Sequence, residues 1–180
     1  AVQTDEFPLH AITQRPAAMY HSWGSQNAWL RQIHGHNPLF IPRSLGEKHG
    51  VADGDWVRLT SLHGSIVATA KLMEGVNANT VWTWNAIGKR KGAWNLDENA
   101  PEATKGFLLN QLISELLPDG KTANADPVTG QAAWYDLRVR LEKVGEAEAE
   151  ALSTSRHDPL TPPKSVVDRP EMLRYGRKRA

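Results

Sequence analysis

Thr13, Arg15, His21, Ser22 and Asn27 fall within one short segment, Thr13-Gln14-Arg15-Pro16-Ala17-Ala18-Met19-Tyr20-His21-Ser22-Trp23-Gly24-Ser25-Gln26-Asn27. The planar fork of Arg15 suits phosphate oxygens, and His21, Ser22 and Asn27 can donate to phosphate or ribose. A helix beginning just after them would add backbone N–H groups for an anion. The same residues suit a polar surface loop with a helix cap. On residue types alone the two readings stand even.

A second polar stretch, Asn124-Ala125-Asp126-Pro127-Val128-Thr129-Gly130, lies far away in sequence. The Asp126 carboxylate matches the donor edge of guanine, its N1–H and exocyclic amine, and Asn124 can donate and accept beside it. Asn-x-Asp-Pro also reads as a series of Asx turns, and from these residues alone that reading is preferred. Both stretches adjoin predicted strands, with apolar segments between. The pattern predicts a large polar ligand held across one rim of a barrel.

Other chemistry is thinner. With Cys 0 the chain carries no disulfide, thiolate zinc site, cysteine nucleophile or cysteine-held iron–sulfur cluster. His34-Gly35-His36 has a spacing a metal could use, but no third ligand stands near, and Gly35 reads as a helix stop; no metal site is assigned. The lone His10, His49 and His157 read the same way. No Ser-His-Asp order, glycine-rich phosphate loop or metalloprotease motif occurs, so no residue is given a catalytic role. Among seven tryptophans, Trp23, Trp84 and Trp134 could stack on a heterocycle, while Trp29, Trp56, Trp82 and Trp94 read as core or interface. The basic runs Lys89-Arg90-Lys91 and Arg174 to Arg179 read as a solvated loop and a docking tail, because the net charge is only +1. No nucleic-acid partner and no membrane insertion are expected.

The elements that must position these residues are mostly strands. Leu9 to Thr13 is apolar and stops at Pro16. Ser25 is expected to cap a helix over 26–34 with Trp29, Leu30 and Ile33 on one face. Leu39 to Ile41 reads as a buried strand. Ser44 then caps a short helix that Gly50 closes. In Val51-Ala52-Asp53-Gly54-Asp55, Gly54 takes positive φ and the aspartates bond local backbone. Trp56 to Ser61, Ser65 to Leu72 and Thr80 to Trp84 are strands, the first two joined by a tight turn at His63-Gly64. Phe107 to Leu117 is expected as a helix with Leu108, Leu109, Leu112, Ile113 and Leu116 inward, followed by a long polar loop. Tyr135 to Val144 is the last strand. Short, closely spaced strands argue for a small barrel.

The organisation follows. Residues 1–8 read as a linker from a preceding domain, 9–144 as the barrel, and 145–180 as a Pro-punctuated polar tail, disordered or lying on a partner. The chain starts at Ala1 and reads as a piece of a longer one. Its compartment is not legible, with the reading leaning to a prokaryotic cytoplasm over periplasm.

Thr13-x-Arg15, Tyr20-His21-Ser22, Asn37-Pro38, Gly50-Val51-x-Asp53-Gly54-Asp55, Ser61-Leu62-His63-Gly64 and Asn124-x-Asp126-Pro127-x-Thr129-Gly130 before Val139-Arg140 occur in an order that is specific as a set. With them the chain resembles the C-terminal molybdopterin-dinucleotide-binding domain of the dimethyl sulfoxide reductase family of molybdenum and tungsten oxidoreductases. Trp23-Gly24-Ser25 and Trp134-Tyr135 look most like the branch of sulfite dehydrogenases and thiosulfate or polysulfide reductases. The resemblance implies a mainly β fold with added helices, a double-psi β-barrel. It implies binding to the pyrophosphate and guanine portions of bis-molybdopterin guanine dinucleotide through Thr13, Arg15, His21, Ser22, Asn110, Asn124, Asp126 and Tyr135. Molybdenum or tungsten, and any iron–sulfur cluster, would sit in preceding domains of the same catalytic subunit. The tail would meet another domain or an iron–sulfur electron-transfer subunit, and this chain alone would not turn over substrate. Two readings stand beside this one. The first is a non-catalytic adaptor module on the same barrel. The second is an acid–base enzyme using Asp53 and Asp55, residues that the turn explains better.

Overall fold

The computed structural model describes residues 4–20, 23–24, 27–34, 36–85, 107–117, 119–132 and 137–149. Six strands close into one barrel: β1 (Leu9–Gln14), β2 (Leu39–Pro42), β3 (Trp56–Thr60), β4 (Ser65–Met73), β5 (Thr80–Trp84) and β6 (Arg138–Lys143). Their order around the barrel is β1-β5-β2-β4-β3-β6. Two parallel pairs, β1–β5 and β2–β4, are joined through antiparallel β2–β5, β3–β4, β3–β6 and β1–β6. This is the double-psi β-barrel with added helices. Closure gives every strand a neighbour on each side, β4 pairing with β3 along 65–69 and with β2 along 70–73.

Alternation along each strand fills the interior. Val57 and Leu59 of β3 are buried, as are Ile66, Ala68 and Ala70 of β4, Val81 and Thr83 of β5, and Val139 and Leu141 of β6. The apolar ones join Leu9, Ala11, Leu39 and Ile41 in one core. β4 also buries its other face. Val67 packs with Val144, Ala149 and Trp56 in a second cluster. Ala149 belongs to the stretch read as tail, so residues 145–149 lie against the barrel wall. Glu148 is ion-paired with Arg58.

On the outer face of β2 and β5, Phe40 stacks on Trp82 with ring centroids 3.9 Å apart, and Trp84 meets Trp82 edge-on at 4.7 Å. Helix α1 (Ala28–Ile33) is held to this ladder through His34, whose ring lies 5.4 Å from that of Trp84. Helix α2 (Arg43–His49) ends at Gly50, which takes the left-handed conformation at φ 62°.

Four local expectations are corrected. Asn27, not Ser25, caps α1, its Oδ1 accepting from Trp29 N at 2.9 Å. The expected apolar face of α1 does not lie on the barrel, since Trp29 and Ile33 are exposed. Pro42 stands at the cap position of α2, which has no side-chain cap bond, so Ser44 lies inside the first turn. Phe107 to Leu117 is not a helix: a 3₁₀ turn spans Leu109–Leu112, and Ile113 is already extended. Partners distant in sequence take the carbonyls a helix would need. Leu112 O accepts from Ser61 Oγ and Ser114 O from Asn124 Nδ2. Leu116 bridges Ala123 instead of facing the core.

Candidate functional site

Strand registers decide which loops meet. β1 and β5 run parallel with Thr13 opposite Thr83, so Arg15 and Asn85 emerge at one end, where Asn85 N donates to Gln14 O at 2.8 Å. β2 runs against β5 with Phe40 opposite Trp82, which brings Asn37 to the same end. β4 is parallel to β2 with Leu39 opposite Ala70, so the Ser61–Gly64 hairpin reaches it too. Leu137 O accepts from Ala11 N at 3.0 Å, so β6 begins there. The Asp53-Gly54-Asp55 turn and the Met73–Asn79 connection lie at the opposite rim.

Thr13 shares the inward row of β1 with Leu9 and Ala11, half-buried at the mouth of the barrel. Arg15 is exposed just beyond, its guanidinium carbon 5.0 Å from the centre of the Tyr20 ring. Buried Pro16 and Met19 pin the loop that follows. It advances by successive turns, with Met19 N on Pro16 O, Trp23 N on Tyr20 O and Asn27 N on Gly24 O. Asn27 spends its oxygen as the α1 cap, and α1 is only six residues long, so the expected helix-end anion site is not formed. Tyr20, Trp23 and Trp29 are all exposed around this loop.

Asn110 projects from the 3₁₀ turn with its side chain exposed, while its carbonyl accepts from Ile113 N at 3.2 Å. Leu109 and Leu112 anchor that turn in the core. The segment then carries the second polar loop. Asn124 N donates to Glu115 O at 2.8 Å and Asn124 Nδ2 to Ser114 O at 3.2 Å. Asp126 forms an Asx turn: its Oδ1 accepts from Val128 N, Thr129 N and Thr129 Oγ1 at 3.0, 2.7 and 3.0 Å. Asp126 N closes the loop on Gln131 O at 2.7 Å. The Thr129 backbone N–H, then its hydroxyl and the Val128 N–H, hold the Asp126 carboxyl below the usual carboxylate range. The turn uses Oδ1, and among the described residues no donor meets Asp126 Oδ2 or Asn124 Oδ1.

Thr13, Arg15 and Asn110 are thus brought to one rim, and Asn124 and Asp126 are tethered to it through the 112–116 segment. His21, Ser22 and Tyr135 lie outside the described residues, as do Ser25, Trp94, Trp134, Lys89 to Lys91 and residues 150–180. Among the described residues, no group of three or more His, Cys, Asp or Glu side chains could hold a metal ion. No described helix is long and apolar enough to cross a membrane.

Trp84, read as a possible stacking platform, is engaged by Phe40, Trp82 and His34. Asp53 and Asp55 work in the far-rim turn. Asp53 Oδ1 accepts from Leu72 N at 2.5 Å and its Oδ2 from Lys71 at 3.1 Å. Asp55 Oδ2 accepts from Ala52 N at 2.7 Å and pairs with Lys143 at 2.6 Å.

Two residues that shape the rim were legible only as motif positions. Asn37 is fully buried: its Oδ1 accepts from Thr83 Oγ1 and Trp84 N at 2.7 and 3.1 Å, and its Nδ2 donates to Trp84 O at 3.0 Å. Ser61, also buried, donates to Leu112 O at 2.8 Å and accepts from His63 N at 3.1 Å. The Asn-Pro pair before β2 and the Ser-x-x-Gly hairpin were their only local signals.

Comparison with known proteins agrees with this geometry. The family described as the Molydopterin dinucleotide binding domain matches residues 9–127. A sulfite dehydrogenase subunit of Allochromatium vinosum is 56% identical over 154 residues, covering 83% of this chain and 16% of that protein. The molybdopterin-containing ArrA subunit of the arsenate respiratory reductase of Shewanella sp. (strain ANA-3) is 29% identical over 151 residues, covering 77% and 16%. The chain therefore spans about a sixth of the length of these relatives. Acetylene hydratase from Pelobacter acetylenicus has the same fold over 78% of this chain and 19% of its own, with TM-score 0.58 and 17% identity. The family match at this length decides against the adaptor reading: the chain belongs to the molybdopterin dinucleotide-binding domain family.

Proposed function

We propose that the rim carrying Thr13, Arg15, Asn110, Asn124 and Asp126 holds the pyrophosphate and guanine portions of bis-molybdopterin guanine dinucleotide in the catalytic subunit of a molybdenum or tungsten oxidoreductase. The observation that carries this reading is the convergence itself. Polar residues from opposite halves of the sequence stand toward one end of a barrel with a mainly apolar core, the later ones tethered there through Ser114. The donor set fits the ligand. Arg15 offsets pyrophosphate charge, and the Thr13 hydroxyl and Asn110 amide donate to phosphate or ribose oxygens. Asp126 Oδ2 accepts from the guanine N1–H edge, with Asn124 Oδ1 beside it. By resemblance, His21, Ser22 and Tyr135 complete the site.

The cofactor, when bound, supplies the oxygen-atom and electron-transfer chemistry; this domain binds and orients it. The exposed Tyr20, Trp23, Trp29 and Ile33 flank the site and suit cover by preceding domains of the same subunit. Glu6 and residues 145–149 are both tied to the outer face of β3 and β6, through Arg140 and Arg58. The remainder of the tail is proposed to meet an iron–sulfur electron-transfer subunit. The similarity to the sulfite dehydrogenase of Allochromatium vinosum supports a sulfur oxyanion or polysulfide as the parent enzyme's substrate.

The test is cofactor content in the full-length catalytic subunit. Arg15→Ala and Asp126→Ala should each lower guanine dinucleotide per polypeptide by about tenfold, the worth of one charge-assisted hydrogen bond. Full occupancy in both variants would remove these residues from the site.

A further inference from the structure

We propose that Ser61 is a positioning residue for dinucleotide binding, acting through Leu112 to set the height of the 109–126 segment over the barrel mouth. The inference rests on the site reading above and adds a residue that touches no cofactor.

Ser61 ends β3 and opens the hairpin to β4. Its hydroxyl is buried, donates to Leu112 O at 2.8 Å and accepts from His63 N at 3.1 Å. The first bond joins the hairpin to the 3₁₀ turn, and the second fixes the hydroxyl so that its proton faces Leu112. Gly64 closes the hairpin, accepting from Ser61 N at 2.8 Å, and passes directly under the turn. A Cβ at Gly64 would stand 2.9 Å from the Gln111 carbonyl oxygen. The hairpin and the turn are thus in backbone contact at one point and hydrogen-bonded at the next.

What this contact holds is the part of the chain that presents the ligand groups. Asn110 lies two residues before Leu112. Ser114 and Glu115 follow it and carry the two bonds to Asn124, and Asp126 is two residues farther. The connection from barrel to guanine-side residues therefore runs Ser61, Leu112, Ser114, Asn124, Asp126. The 3₁₀ turn is only four residues long and its C-terminal side is extended backbone. Among the described residues, Phe107, Leu109 and Leu112 anchor the turn in the core, and the Ser61 bond adds a hydrogen-bonded tie to the hairpin. A hydroxyl lost here costs little barrel core, but it frees a lever with Asn110 near one end and Asp126 at the other.

The experiment compares Ser61→Ala, Ser61→Thr and Gly64→Ala in the full-length catalytic subunit, with Asn110→Ala and Asp126→Ala alongside. Two quantities are read: guanine dinucleotide retained per polypeptide after gel filtration, and amide exchange in cofactor-free protein. Ser61→Ala is expected to retain about fivefold to tenfold less dinucleotide, the worth of one hydrogen bond. Its exchange should quicken over 109–126 while β1 and β5 stay unchanged. Ser61→Thr, which keeps the hydroxyl, should restore both. Gly64→Ala, which keeps Ser61 but lifts the turn, should lose dinucleotide as Ser61→Ala does. Wild-type retention in Ser61→Ala and Gly64→Ala, with loss in Asn110→Ala and Asp126→Ala, overturns the positioning role alone. Exchange that quickens evenly around the barrel, without rescue by threonine, overturns it in favour of a plain folding role. Full retention in Asn110→Ala and Asp126→Ala overturns the site reading and the positioning role with it.

Discussion

Asn37 and Thr83 are bonded side chain to side chain inside the barrel, Thr83 Oγ1 donating to Asn37 Oδ1 at 2.7 Å. The same amide bonds both backbone groups of Trp84. One buried side chain thus closes the β2–β5 seam at the rim that also carries Thr13 and Arg15, where β2–β5 pairing has run out. Asn37→Ala should destabilise the protein by about 2–4 kcal/mol, because it strands buried backbone groups as well as removing bonds. Denaturant unfolding measures this; a change under about 0.5 kcal/mol, the scale of an ordinary surface substitution, would mean that water replaces the amide.

Strands such as β3 and β6 were legible because each shows one face to the core. Val57 and Leu59, then Leu137, Val139 and Leu141, carry that period in the sequence itself. The Asp126 turn was legible for a similar reason, since its bonds reach only three residues ahead. The failure at Phe107 to Leu117 has the opposite cause. Leu109 and Leu112 do face inward, at a spacing that a 3₁₀ turn and an α-helix share. What ends the turn is Ser61, 51 residues away, and no local pattern records that partner. The same holds for Asn37, whose partners lie 46 and 47 residues on. Trp29 and Ile33 misled because an apolar stripe signals burial without naming what buries it.

Thr69 of β4 is buried, and among the described residues its hydroxyl has no hydrogen-bond partner. Its neighbours on that face belong to the second apolar cluster, with Val67 and Trp56 among them. Thr69→Val keeps the branched shape and removes the stranded hydroxyl. The variant should be more stable by about 1 kcal/mol. Thermal unfolding checks this, and a lower melting temperature would show that the hydroxyl is satisfied.

Among the described residues, four aspartates are held below their ordinary value of 3.8: Asp53 by the Leu72 N–H and Lys71, Asp55 by Lys143 and the Ala52 N–H, Asp119 by the Thr122 hydroxyl and N–H, and Asp126 by the Thr129 N–H and hydroxyl. The folded state therefore favours the ionised carboxylates, and the unfolded chain binds more protons around and below pH 3.8. Their contribution is complete above that value and disappears as pH falls through the lowered folded ones. Stability should drop with acid, and Asp53→Asn or Asp55→Asn should flatten the drop. An unchanged denaturant midpoint from about pH 5 to about pH 2.5 would contradict this linkage.

The most direct test of the account is amide hydrogen exchange on the full-length catalytic subunit, with and without its dinucleotide. Residues 13–20, 109–117 and 123–131 should gain protection when the cofactor is bound. The far-rim turn 51–55 and the 74–79 connection should not. Protection at the far rim instead, or none at the Arg15 and Asp126 loops, would contradict the assignment of this rim to the cofactor.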